Sequence, residues 1–153
     1  MGQQQLLLLV LGIVIVGLAV VVGIQAFGEN QKKANSDALV NDGVRIASDV
    51  QAWILKPAAF GGGDGNFENL DFGDLGYTMN TNGAGANAYG NLNGVFNMTV
   101  APGEPGTGSA VITGCNADSD NLITITVDGT TPNNITTVVA TSTEACPGAG
   151  AGA

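Results

Sequence analysis

Apolar residues run without interruption from Leu6 to Gly23, and the first charged side chain is Glu29. A helix that is apolar on every side has to be covered on every side. About 20 such residues at ~1.5 Å each span the ~30 Å hydrocarbon thickness of a bilayer. The run is rich in β-branched residues (Ile13 to Val16, Val20 to Val22), which favour strands in water. In lipid, or among copies of itself, the segment must satisfy its own backbone, so the pattern predicts a hydrophobic helix over residues 1–27.

Beyond that point the pattern acquires a period. Leu39, Gly43, Ile46, Val50 and Trp53 recur at spacings of three and four, and Ala47 and Ile54 widen the stripe. Lys32, Asn35, Asp42, Arg45, Asp49 and Lys56 mostly take the other faces. This predicts an amphipathic continuation over residues 28–57, with Leu39, Gly43, Ile46, Val50 and Trp53 packing against the rest of the protein. Gly43 weakens a helix by about 1 kcal/mol relative to Ala, but it allows a close neighbour. Pro57 disfavours helical geometry at Lys56 and should end the rod, about 80 Å from its start at ~1.5 Å per residue.

Residues 58–153 change character again. Gly61-Gly62-Gly63-Asp64-Gly65-Asn66 reads as a loop. Short β-like runs follow at 76–79, 94–100, 109–113, 122–127 and 135–141, separated by Gly, Asn and Pro. Leu122 to Val127 alternates apolar and polar residues, which suits a strand with one covered face. Asp128-Gly129 and the Thr-Thr-Pro-Asn-Asn after it should turn the chain into the next run, making a hairpin. The expected fold is α+β: a lollipop with a long N-terminal hydrophobic helix and a small antiparallel β-sheet head packed on its distal half.

Charge sharpens the division. All four basic residues (Lys32, Lys33, Arg45, Lys56) precede Pro57, whereas nine of the thirteen acids follow it. The net charge is therefore zero before Pro57 and −9 from it onward. A head without a cation offers nucleic acid no electrostatic footprint and is repelled by anionic lipid headgroups.

The chain has no His and two cysteines, Cys115 and Cys146, which bracket the expected hairpin. A bridge between them would be worth roughly 3.5–4 kcal/mol in the chain-entropy model, a large share for a small, glycine-rich, exported head. Without His, and with cysteine oxidised, the usual nucleophile–base pairs are missing, so the chain does not read as an enzyme. Asp64, Asn66 and Glu68 alternate as a calcium loop begins, as do Asn116, Asp118 and Asp120. Both runs lack the glycine and the bidentate Glu that complete such a loop, and they read as solvated Asx turns. Asn97-Met98-Thr99 and Asn134-Ile135-Thr136 match the N-glycosylation pattern, which arises easily by chance in an Asn/Thr-rich chain. The sparse aromatics read as core between rod and head.

Polar Gly2, Gln3, Gln4 and Gln5 ahead of Leu6, the apolar helix, its amphipathic continuation, the β-rich head and the C-terminal cysteine pair together resemble the type IV pilin superfamily of bacteria. The resemblance is architectural over the whole chain and specific in sequence over residues 1–57. It implies a structural subunit of an extracellular helical pilus filament, a homo-oligomer on the cell surface. Before assembly the subunit would reside in the inner membrane, and a pilus assembly machinery with an ATPase motor would extract it. Gln5, Leu6, Gly12, Val14, Gly17, Val21 and Gly23 are then the assembly positions, and the Cys115–Cys146 loop the outward-facing disulfide-bounded region. Neither cofactor nor metal is implied.

Two departures stand out. Gln5 falls where the family usually has a glutamate that neutralises a neighbour's N-terminal amine; if the mature chain began at Gln3, Leu7 would fall there. The helix-breaking proline of many pilins is also missing, leaving its role to Gly17 or Gly23. Lys32 and Lys33, just after the helix, would by the positive-inside rule favour a cytoplasmic head. The cysteine pair and the head's composition argue for export, and a removed basic leader would reconcile the two. The alternatives are a pseudopilin of a type II secretion system and a secreted binding domain whose N-terminus is a signal segment. For the latter, Ile24-Gln25-Ala26 would serve as cleavage site, but no basic region precedes it.

Overall fold

A computed structural model describes residues 2–79, 87–103, 107–116, 119 and 121–141. The fold is α+β. Helix α1 runs from Gly2 to Leu55 and is followed by a five-stranded antiparallel sheet: β1 (Ala88–Gly90), β2 (Val95–Ala101), β3 (Ser109–Asn116), β4 (Asn121–Val127) and β5 (Ile135–Thr141). Strand order follows chain order throughout. The chain divides into two compact units, Met1–Ala34 and Asn35–Ala153.

In the first unit α1 is bare. Every large apolar side chain from Leu6 to Ile24 is 50–68% exposed, and the helix is long and apolar enough to cross a membrane.

In the second unit the same helix buries Leu39, Gly43, Ile46, Ala47, Val50 and Ile54, the stripe read from the sequence. Trp53 is half-buried against the core. The stripe packs on the inner face of the sheet, where Phe96, Ile112, Ile123 and Ile125 are fully buried. Gly43 is the closest approach: a Cβ there would lie 2.5 Å from Ile125 Cδ1 and 2.9 Å from Ile123 Cδ1. The buried Gly is thus a packing requirement that outweighs its helix cost.

After Leu55 the chain folds back over the helix end. Gly63 N–H donates to the Trp53 carbonyl, Gly65 N–H to Ile54 and Asp64 N–H to Lys56, at 2.9–3.1 Å. Carbonyls that a helix leaves unpaired at its C-terminus are so satisfied. Asp64 and Asn69 take positive φ (48° and 61°) to make this connection, a conformation that Asp and Asn tolerate better than most residues.

Three expectations need correction. Residues 76–79 are not a strand, because only Met79 bridges to Tyr89; the short edge strand is instead Ala88–Gly90, in a sequence too small and Gly-rich to signal it. Strand β3 continues three residues past Thr113, through Gly114, which has no Cβ to meet the Phe96 ring beside it. The aromatics are not all core: Phe67, Phe72 and Phe96 are buried, but Phe27 and Phe60 project into solvent. The 122–127 and 135–141 runs form an antiparallel pair, with Ile123 opposite Val139 and Val127 opposite Ile135.

Candidate functional site

The most unusual surface is the first unit of α1. Sequence reasoning singled out Gln5, Leu6, Gly12, Val14, Gly17, Val21 and Gly23, and all lie on this one helix with Gly23 alone half-covered. Nothing comes within 4 Å of a Cβ built on Gly12, Gly17 or Gly23. A shallow apolar groove runs along Gln3, Leu6, Leu7, Val10, Leu11 and Val14. Such a surface offers no acid, base or nucleophile; it can only be covered. Water is a poor covering, at about 25 cal/mol per Å² of apolar area left exposed.

The second unit is knit by an asparagine network. Asp42 on α1 accepts from Asn91 Nδ2 (2.8 Å) and Asn93 Nδ2 (2.7 Å) in the β1–β2 turn. Asn35 Nδ2 donates to the Asn93 carbonyl, and Asn35 Oδ1 accepts from the Ser119 hydroxyl and Asn121 Nδ2. At the other end of the sheet Gln51 Nε2 donates to the carbonyls of Gly129 and Thr131. The polar residues of the helix stripe therefore anchor turns. Nothing in their spacing announced this, since each partner is some fifty or more residues away.

Tyr77 is tied to the helix through a 2.5 Å hydrogen bond from its hydroxyl to Asp49 Oδ2. Burial first, then that bond and the Asp49 charge, push the phenol up to about 12 from its ordinary 10. Its ring packs 4.8 Å from Tyr89 and 6.0 Å from Phe72, centroid to centroid. The cluster fixes the 58–79 connection to the sheet, and the shifted phenol serves that structural end.

An acidic recess of about 530 Å³ lies beside the helix end, lined by Trp53, Gly61 to Gly63, Asn66, Glu68, Asn69, Asp71 and Asp74. Among the described residues no three Asp, Glu, Cys or His side chains are placed to hold a metal. Of the calcium-like runs, Asn66 forms an Asx turn by accepting from Glu68 N–H at 3.1 Å, and Asn116 Oδ1 accepts from Ser119 N–H, three residues on, at 3.2 Å. Asp118 and Asp120 lie outside the described residues. In the second glycosylation pattern the Asn134 amide is engaged by the Thr131 hydroxyl and the Asp128 carbonyl.

Cys115 is 2% exposed at the end of β3 and is not a free thiol. Its expected partner, Cys146, lies outside the described residues. Two exposed apolar residues, Leu55 and Leu92, went unremarked in the sequence. Against known proteins, the chain matches no family model, no curated protein and no solved structure.

Proposed function

We propose that this chain is the structural subunit of an extracellular helical filament, built by bundling the N-terminal segments of many copies. One observation carries the reading: a helix apolar on all sides, 50–68% exposed at every large side chain from Leu6 to Ile24, continues into a folded β domain. Bilayer and bundle are the two coverings available to it. Lipid tails are about as apolar as Leu, so transfer from one to the other gains little from the hydrophobic effect. Close packing must hold the bundle, and Gly12, Gly17 and Gly23 permit it. Extraction from the membrane then calls for an external motor, an ATPase in the reading adopted here. The assembled core is dry and resists dissociation in water.

The Cys115–Cys146 bridge belongs to the same proposal, as a staple on a head that works outside the cell. Heads carrying −9 each would crowd around the core, with their repulsion screened beyond about 8 Å at physiological salt.

Negative-stain microscopy of material sheared from the cell surface, with mass spectrometry of its subunits, tests the proposal. Filaments composed of this chain are expected. Recovery of the chain solely from the membrane fraction, with no filament in the sheared material, would show a membrane-anchored head instead.

A further inference from the structure

The turn between β1 and β2 is held to α1 by a chemically reactive pair of residues. Of the two Asn-Gly sequences in the chain, Asn93-Gly94 is the one that falls among the described residues. The fold requires both members. A Cβ on residue 94 would run into the Cys115 carbonyl oxygen and lie 2.7 Å from Leu39 Cδ2, so only glycine fits there. Asn93 supplies the amide: its Nδ2 donates to Asp42 Oδ2 at 2.7 Å, while its carbonyl accepts from Asn35 and Asn116 Nδ2. Asparagine followed by glycine is the sequence most prone to ring closure, because no Cβ on the second residue keeps its nitrogen from the side-chain carbonyl.

In the folded turn both reacting groups are engaged elsewhere. Gly94 N–H donates to Asn91 Oδ1 at 3.0 Å, alongside Asn93 N–H at 2.9 Å. Asp42 holds the Asn93 amide, and it holds the Asn91 amide as well at 2.8 Å. Each group is thus committed to another partner until the turn opens, and local opening of this kind costs less than unfolding.

We propose that Asn93 is a site of spontaneous modification gated by the Asp42 clasp, and that its conversion to an acid releases the β1–β2 turn from α1. In the reaction the Gly94 backbone nitrogen bonds to Asn93 Cγ, and the side-chain nitrogen leaves as ammonia, taking the Gly94 N–H proton. Water then opens the succinimide at one of its two carbonyls, leaving aspartate or isoaspartate. Neither product can keep the clasp. In aspartate a carboxylate oxygen replaces the donor that stood 2.7 Å from Asp42 Oδ2, and two part-buried anions with no proton between them repel. In isoaspartate the donor is lost as well, and the carbonyl that Asn35 and Asn116 hold leaves the main chain. The change is irreversible, so the clasp records how often the turn has opened. The inference is independent of the filament proposal, since both reacting groups belong to one chain.

The test uses the full-length chain in detergent, held folded in mildly alkaline buffer, with the Asn93 peptide followed by mass spectrometry over time. Conversion in the folded protein should run on the order of tenfold slower than in the same chain unfolded in urea. Asp42→Ala should raise the folded rate several-fold while circular dichroism shows the sheet intact. Equal rates in folded and unfolded protein, or a folded rate that Asp42→Ala leaves unchanged, would overturn the gating. Asn93→Asp, which builds in one product, should lower the melting temperature. Adding Asp42→Asn should recover most of that loss, because an amide then faces the new carboxylate. A melting temperature unchanged by Asn93→Asp, or not recovered by the pair, would overturn the release. The folded-against-unfolded comparison uses the wild type and stands even where a variant fails to fold.

Discussion

One helix in this protein presents two different surfaces. Between Leu39 and Ile54 its apolar residues form a stripe, and the opposite face carries Arg45, Ser48 and other polar groups into water. Between Leu6 and Phe27 there is no opposite face, and the side chains that would be a core elsewhere are bare. The stripe is satisfied within one chain. The all-round surface cannot be, whatever the chain does, because a single β domain reaches one side of a helix. The difference separates a residue that the chain's own fold covers from one that it leaves bare.

Substitutions that treat the two regions alike should give opposite results. The largest effect expected, complete loss of filaments, is from Val14→Asp. A carboxylate mid-helix costs about 2.5–3.5 kcal/mol in a bilayer and finds no partner in a dry bundle, so filaments should vanish while circular dichroism shows the β domain folded. Normal filaments from this variant would break the division.

Next comes the cysteine pair, which concerns the second unit alone. Reduction should add two protons per chain by intact mass. It should also destabilise the detergent-solubilised protein by roughly 3.5–4 kcal/mol, read as a lower melting temperature. Two thiols alkylated without reductant in native protein would disprove the bridge.

A matched pair of glycines sharpens the comparison further. Gly43→Leu drives a side chain into Ile123 and Ile125 and should cost about 1–3 kcal/mol of overpacking, more than the just under 1 kcal/mol gained in helix propensity. Gly17→Leu meets nothing within the chain. It should leave the melting temperature unchanged and be felt, if at all, in filament yield.

The smallest effect belongs to Tyr77→Phe, about 1 kcal/mol for the lost hydrogen bond to Asp49. Its signature is in pH. The folded state holds the phenol proton up to about 12 and the unfolded chain only to about 10. Folded protein therefore binds more protons across that window, and this contribution is complete below pH 10 and lost as pH rises toward 12. Urea titrations between pH 9 and 12 should show a decline in the wild type that the Phe variant lacks.

Periodicity made the helix, its stripe and four of the five strands legible from sequence, because an apolar residue every three to four positions or at alternate positions has one geometric solution each. Gly43 was legible too, as a gap in the stripe. What stayed hidden depends on distant partners. Strand β1, three residues long, exists because Asn97 and its neighbours on β2 offer it a ladder. Phe60 looks like core in sequence and projects into water because the chain turns back at Gly61 to cap the helix. Leu92 is exposed because Asp42, fifty residues earlier, holds its turn. The extent of the bare apolar surface of α1 was readable from the absence of charge.

The order of the strands has a consequence for how the protein is made. Each strand from β1 to β5 pairs only with its neighbours in the chain, so no crossover has to wait for a distant segment. Sheets of this kind close small loops first, and loop closure is what slows β proteins. A chain made from its N-terminus can therefore add one strand at a time against a helix already synthesised. Only β5 must arrive before the last pairing forms, which makes the final strand the timekeeper of the sheet.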